Sequence, residues 1–301
     1  MDEVERSQSH GAEFKLRRNI HRLEKGLIMR PRRDDFALDY IAETVVIFDA
    51  LSNRQRQKIK KENELLLKWA HDVLDHYFSI TREHPTIVTC KKKFRTINLL
   101  KSTDRDDSSP FCPYTRKSED IPDISINQLH KLAQYRRSCR WYLQKPVSRA
   151  IIDQAMEVAM LSPSACNRQP FRFIIFDNQL SASDVGSIPM GTIGFSQNFP
   201  AIAVIVGQLD AFSDDRDRHV IYIDSALAAM AFQFALEVQG VSSCCINWPD
   251  IEAREKLMEK RLGLAKHERP ILSISFGYAD PKGQVPYSQK KALDEIRIYA
   301  Q

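Results

Sequence analysis

The run Arg136-Arg137-Ser138-Cys139-Arg140 puts three guanidiniums into five residues. A guanidinium offers forked N–H donors that match the oxygens of a phosphate, and Ser138 adds a hydroxyl. By itself the run is equally a basic patch at a helix end, where cations suit the dipole. A second run, Ser162-Pro163-Ser164-Ala165-Cys166-Asn167-Arg168-Gln169-Pro170-Phe171, collects Ser164, Asn167 and Gln169. Their side chains can bond the polar edge of a heterocycle. Judged alone it is an ordinary loop, since Ser, Pro and Asn favour turns. The segment from Gly240 to Trp248 contains Cys244-Cys245-Ile246-Asn247 and reads either as backbone N–H groups facing a ring or as a buried strand of small residues. Near the C-terminus, Val285-Pro286-Tyr287-Ser288-Gln289-Lys290-Lys291 ends in two ammonium groups, which suit a phosphate or simply water.

Other chemistries find less support. The six cysteines form no C-x-x-C pair, so a structural zinc site is not expected. No G-x-G-x-x-G or Walker sequence is present. His71 and His76 are five apart, the wrong spacing for a shared metal face on a helix. Asp214, Asp215 and Asp217 are interleaved with Arg216 and Arg218, which argues against a calcium loop. The charge surplus is +5, from 44 Lys+Arg against 39 Asp+Glu. That suits an anionic ligand without the strong basic bias of a nucleic-acid binder. Reduced thiols suggest a cytosol. The polar N-terminus has no apolar core of a signal peptide. The stretch Ser225–Val238, interrupted by Gln233 and Glu237, is too short to span a bilayer. The expectation is a soluble, cytoplasmic protein with no membrane or nucleic-acid partner and no metal.

The elements that must position these runs follow from periodicity. Apolar residues at 3–4 spacing predict helices over Phe14–Met29, Asp35–Leu51 and Asn63–Ile80. The run Ser102–Pro110, then Pro113 and Pro122, breaks the pattern and reads as a linker. The chain is thus divided into a helical N-terminal extension with linker, 1–120, and a second domain, 121–301. In the second, helices are predicted over Ile126–Tyr135, Ser148–Leu161, Asp224–Gln239 and Ile251–Leu262. Strands are predicted over Phe171–Phe176, Ala201–Val206, Ser243–Trp248 and Ile271–Tyr278. Only 10 glycines and this alternation point to an α+β fold rather than a β-sandwich.

Order and spacing of the Arg-Arg-Ser-x-Arg, Ser-Pro-Ser-x-x-Asn-x-Gln-Pro-Phe and Gly-x-x-Ser-Cys segments resemble the nitroreductase family, from about Asp123 to Ala300. The resemblance implies a central, mostly antiparallel sheet flanked by helices, and a homodimer with FMN at its interface. It implies that Arg136 and Ser138, with Arg137, hold the phosphate and ribityl end, and that Arg140 approaches the N1/C2-carbonyl side of the ring. Pro163, Ser164 and Asn167 would come from the partner subunit, and Gln169 is counted with them as a cofactor-binding residue. Backbone at Cys245, Ile246 and Asn247 would face N5, and Lys290 or Lys291 would close the phosphate site. The implied activity is ping-pong hydride transfer from NAD(P)H to a small-molecule electron acceptor, with no side chain named as a catalytic acid. Alternatives within the fold are dehalogenation, azoline oxidation and flavin breakdown; another is a flavin-bound sensor or interaction module. Family members often carry Trp-Ile-Gly where Cys245-Ile246-Asn247-Trp248 stands here. The run His21-Arg22-Leu23-Glu24-Lys25-Gly26-Leu27 resembles a longer subgroup, as core packing or as a lid.

Overall fold

The computed structural model describes residues 3–56, 64–97 and 109–300. Asn63, the expected start of a helix, and Ser102–Ser108 of the expected linker lie outside the described residues. The chain forms two compact units. One comprises Met1–Asp123, Pro163–Pro170 and Gln208–Val220; the other comprises Ile124–Ser162, Phe171–Gly207 and Ile221–Gln301. Two segments of the expected 121–301 domain thus group with the N-terminal helices. The reason lies in packing: the first helix lies against residues 165–167 and 209–211.

The first unit holds α1 (Glu3–Leu27), α2 (Ile41–Arg56), α3 (Glu64–Ile80) and α4 (Pro85–Arg95). Leu16, Ile20 and Leu23 of α1 meet Ile41, Val45 and Phe48 of α2 and Leu67, Leu74 and Tyr77 of α3 in one core. These positions recur at helical spacing, so each helix buries one stripe. Helix α4 was hidden in the sequence by Lys91-Lys92-Lys93. Only Ile87, Cys90 and Phe94 of it are buried, and the His84 side chain caps it by accepting from Thr86 N at 3.2 Å. The His21–Leu27 run packs inside this unit. Trp69 Nε1 donates to Glu24 Oε1 at 3.0 Å, and the Arg22 guanidinium lies 3.7 Å over the Tyr40 ring. A Cβ at Gly26 would collide with the Phe36 ring.

The second unit holds α5 (Ile126–Tyr135), α6 (Arg149–Met160), β1 (Phe171–Phe176), α7 (Gln179–Gly186), β2 (Ala201–Gln208), α8 (Val220–Val238), β3 (Ser242–Asn247), α9 (Glu252–Leu262), β4 (Glu268–Gly277) and α10 (Leu293–Ile296). The sheet order is β1-β2-β4-β3. β1 and β2 are antiparallel, with Phe171 opposite Gly207; β3 and β4 are antiparallel, with Ser242 opposite Gly277. Every residue of β2 is buried, which is why its sequence is a continuous apolar run. Its alternate residues feed two cores. Ala203 and Ile205 join Phe232 and Leu236 of α8, while Ile202, Val204 and Val206 join Val185 of α7 and Met258 of α9. The fold is α+β, a mostly antiparallel sheet flanked by helices.

One expectation is overturned. The apolar stretch read as too short to span a bilayer belongs to a longer helical run, Asp215–Val238, of 24 residues with mean hydropathy 1.4 in its most apolar window. Its length and composition would suffice to cross a membrane, because the helix starts well before Ser225. Half of that window is buried in the fold, as in a core helix.

Candidate cofactor site

The arginine run is fixed to the sheet by the backbone on both sides of it. Helix α5 starts on a capping box, in which Gln128 N donates to Ser125 Oγ at 3.2 Å and Ser125 N donates to Gln128 Oε1 at 2.7 Å. It stops at Arg136, whose N–H reaches Leu132 O at 2.9 Å. The chain then runs extended beside β3: Ser138 bridges Ser243 in parallel sense, and Cys139 N donates to Ser243 O at 3.0 Å. The buried Tyr142 pins the next turn, its hydroxyl donating to Cys139 O at 2.6 Å and lying 3.1 Å from Ser275 O and Ser275 Oγ of β4. Burial pushes the Tyr142 phenol far above its ordinary pKa, so it stays protonated.

The three arginines are used differently. Arg136 Nε is buried with no hydrogen-bond partner among the described residues. A buried donor left unpaired costs about 1–3 kcal/mol, so Arg136 Nε, like Arg168 Nε, is open to an acceptor from outside the chain. Burial raises the Glu237 carboxyl; its bond from Ser242 Oγ at 2.9 Å and the charge of Arg136 oppose that shift. Arg137 is committed within the chain: its Nη2 donates to Pro286 O at 3.1 Å and to Tyr287 O. That tether holds the segment three residues ahead of the exposed pair Lys290 and Lys291. Arg140 Nη1 donates to Ser138 O at 3.4 Å, and the guanidinium stands 5.6 Å over the Phe195 ring.

Arg140 lines a cavity of about 180 Å³ with Met190, Gly191, Phe195, Pro249 and the β3 segment Cys244–Asn247. Along β3, Ser243, Cys244 and Ile246 are buried while Cys245 and Asn247 are exposed. Burial pushes the Cys139 and Cys244 thiols up, so they are packing groups rather than nucleophiles.

Pro163, Ser164, Asn167 and Gln169 belong to the first unit. Their loop is held from within: Gln169 N donates to Ser164 Oγ at 3.0 Å, and Gln169 Nε2 donates to Asn167 Oδ1 at 3.1 Å. Cys166, Asn167 and Gln169 have φ of +54°, +52° and +54°. The left-handed region costs an ordinary residue about 1–2 kcal/mol, less for Asn, and persists only where the surroundings impose it. Arg168, between them, is 7% exposed. Its guanidinium lies 4.8 Å over the Phe212 ring and donates from Nη1 to Ala165 O at 3.3 Å. Burial lowers its pKa, Cys166 and Asp217 oppose that, and the nearby Arg18 adds to it.

Nine of the thirteen predicted site residues therefore sit in the second unit: Arg136, Arg137, Ser138, Arg140, Cys245, Ile246, Asn247, Lys290 and Lys291. Arg140 and the three β3 residues share one cavity, and Arg137 reaches the C-terminal segment. Sequence reasoning missed Met190, Gly191, Phe195 and Pro249 as lining residues; no local signal marks them. It also missed Tyr142, although that residue sits two places after Arg140.

The arrangement is an arginine-rich extended run laid along β3 of a mostly antiparallel α+β sheet. Residues 133–188 and 194–278 match the family model described as "Nitroreductase family". Through this domain the chain is similar to the nitroreductase family. The match ends at Tyr278, so Val285–Lys291 lies beyond it. The iodotyrosine deiodinase of Hydra vulgaris is 23% identical over 243 residues, covering 70% of this chain and 89% of its own. A protein of Archaeoglobus fulgidus, provisionally named NADH dehydrogenase/NAD(P)H nitroreductase, is 27% identical over 149 residues, covering 49% of this chain and 83% of its own. The structure of B. megaterium NfrA1 superposes with a TM-score of 0.52 at 19% identity, covering 58% of this chain and 75% of that one.

Proposed function

We propose that this chain is an FMN-dependent oxidoreductase that takes hydride from NAD(P)H and delivers it to a small-molecule acceptor, working as a homodimer. The observation that carries the reading is Arg136 Nε: a buried guanidinium donor without an acceptor among the described residues, in the same extended run as Arg140, which lines the cavity beside β3. Arg136 and Ser138 would hold the cofactor's phosphate and ribityl end, with Lys290 and Lys291 adding charge from the segment that Arg137 tethers. Arg140 would place a fixed cation at the pyrimidine side of the ring, where negative charge gathers. Cys245, Ile246 and Asn247 would present the β3 edge, and Pro163, Ser164, Asn167 and Gln169 would supply polar contacts from the partner subunit. Bound FMN would supply two-electron hydride chemistry; the residues bind, orient and exclude water.

The homodimer rests on two features of the second unit. A cavity of about 180 Å³ is small beside ligand sites of roughly 300–1,000 Å³, as for a site that a second copy completes. Tyr222, Ile223, Leu227 and Met230 of α8 are 38–51% exposed, and Met160 and Leu161 are exposed as well, apolar side chains that a second copy would cover.

Purified protein should be yellow, and NADH or NADPH should bleach it without oxygen. Protein that binds no FMN, or holds FMN that neither nicotinamide reduces, would remove the reading. A second reading is reductive dehalogenation. It is favoured by the deiodinase likeness, which covers 70% of this chain, more than the family model does. Halide release from an iodinated phenol by the reduced protein would select it over nitro reduction.

A further inference from the structure

The loop from Pro163 to Pro170 presents a physical problem. Three of its non-glycine residues, Cys166, Asn167 and Gln169, sit in left-handed backbone within four positions. Nothing in the local sequence favours that except Asn167. Its internal bonds do not hold it alone: Gln169 N to Ser164 Oγ and Gln169 Nε2 to Asn167 Oδ1 join residues of the same short loop. Backbone bonds such as Asn167 N to Ser164 O at 2.9 Å add to these, and a further restraint comes from Arg168. Its side chain is buried, folds back on Ala165 O at 3.3 Å and stacks over Phe212 at 4.8 Å. Phe212 follows the turn 209–211, and α1 packs against both that turn and residues 165–167. The N-terminal helix therefore touches both halves of the Arg168 clamp.

We propose that Arg168 is a positioning residue for the flavin: clamped by Phe212 and backed by α1, it holds the left-handed loop in the shape that presents Ser164 and Asn167 to the cofactor. The inference rests on the FMN reading above and gives the helical N-terminal unit a task, bracing a cofactor loop. It also fixes which groups the loop offers. Ser164 Oγ and Asn167 Oδ1 are already used as acceptors inside the loop. The Ser164 hydroxyl proton and the Asn167 amide NH₂ stay free as donors for a ligand, beside the second lone pair of each oxygen. Donors suit the carbonyl oxygens of a flavin pyrimidine, which the ring carries in both oxidation states.

The test uses the full chain with Arg168→Met, Arg168→Lys and Phe212→Leu, titrated with FMN by fluorescence quenching. The visible circular dichroism of the bound flavin is recorded at saturation. Arg168→Met should raise the FMN dissociation constant about tenfold or more and change the dichroism band, because the ring loses its loop contacts. Arg168→Lys should recover most of the affinity, since it keeps the cation over Phe212. Phe212→Leu should fall between them. Wild-type affinity and an unchanged band in Arg168→Met would overturn the proposal. So would equal losses in the Met and Lys variants with an unchanged band, which is what simple destabilisation gives. If Arg168→Met fails to fold, Phe212→Leu decides, and unchanged affinity and band in it overturn the proposal. Wild type that binds no FMN is a separate outcome that removes the function reading itself.

Discussion

Replacing Tyr142 with Phe tests how the arginine run is anchored. The Tyr142 hydroxyl donates to Cys139 O at 2.6 Å and stands 3.1 Å from Ser275 Oγ, in a site only 4% exposed. The substitution keeps the ring and its edge contact with Phe199, 6.5 Å between centroids, so the packing loss is small. It removes one buried hydrogen bond and leaves the Cys139 carbonyl without this donor, a cost of about 2 kcal/mol. For a domain of this size each kcal/mol moves Tm by roughly 2–4 °C, so Tm should fall about 4–8 °C. Burial raises the folded-state pKa of Tyr142, so its stabilisation is fully present below the unfolded pKa of about 10 and is lost as pH rises beyond it. The difference between wild type and variant should therefore be flat from pH 6 to 9. Thermal unfolding followed by circular dichroism measures both. A Tm change under about 1 °C, or a difference that vanishes within that pH range, would refute the anchoring argument.

Other expectations follow from single interactions. Glu268 is buried and accepts from Arg172 Nε at 2.7 Å, Arg172 Nη2 at 3.0 Å and Ala265 N at 3.0 Å. Burial would raise its pKa, but the Arg172 and Ala265 bonds outweigh it and hold the pKa low. Its stabilisation is thus present above the unfolded value of about 4.3 and lost as pH falls below it; Glu268→Gln should cost about 2–3 kcal/mol at pH 7, at the low end because Arg172 is partly exposed, and the gap should close in acid. A gap that stays constant down to pH 3 in urea unfolding would count against this. Arg137→Ala should free the Pro286–Tyr287 tether and speed tryptic cleavage after Lys290 and Lys291, while an unchanged cleavage rate would show that the tether does not restrain the segment. Leu227→Lys on the exposed face of α8 should turn a dimer into a monomer on light-scattering chromatography, and a surviving dimer would move the interface elsewhere.

What the sequence revealed and what it concealed have physical causes. The continuous run Ala201–Val206 announced a strand buried on both faces, because that signal is local; the arginine run with its Ser is equally local and marks a candidate anion site. The lining residue Phe195 reaches Arg140 from a chain stretch with no periodic pattern, so only tertiary packing shows it. Helix α4 was masked because its three lysines swamp a narrow apolar stripe of Ile87, Cys90 and Phe94. The grouping of Pro163–Pro170 with the N-terminal helices was hidden for the same reason as Phe195: α1 and the loop are about 140 residues apart in the chain. The left-handed backbone at Cys166 and Gln169 could not be read either, since neither residue type favours it.

The account turns on Arg136 as the buried donor that meets a phosphate-bearing flavin. Titrating FMN into wild type and into Arg136→Met by isothermal calorimetry tests this directly. Wild type should take up one FMN per chain, and the variant should bind at least about tenfold more weakly, the loss expected for a charge-assisted bond to phosphate. No uptake by wild type, or equal affinity in the two proteins, would contradict it.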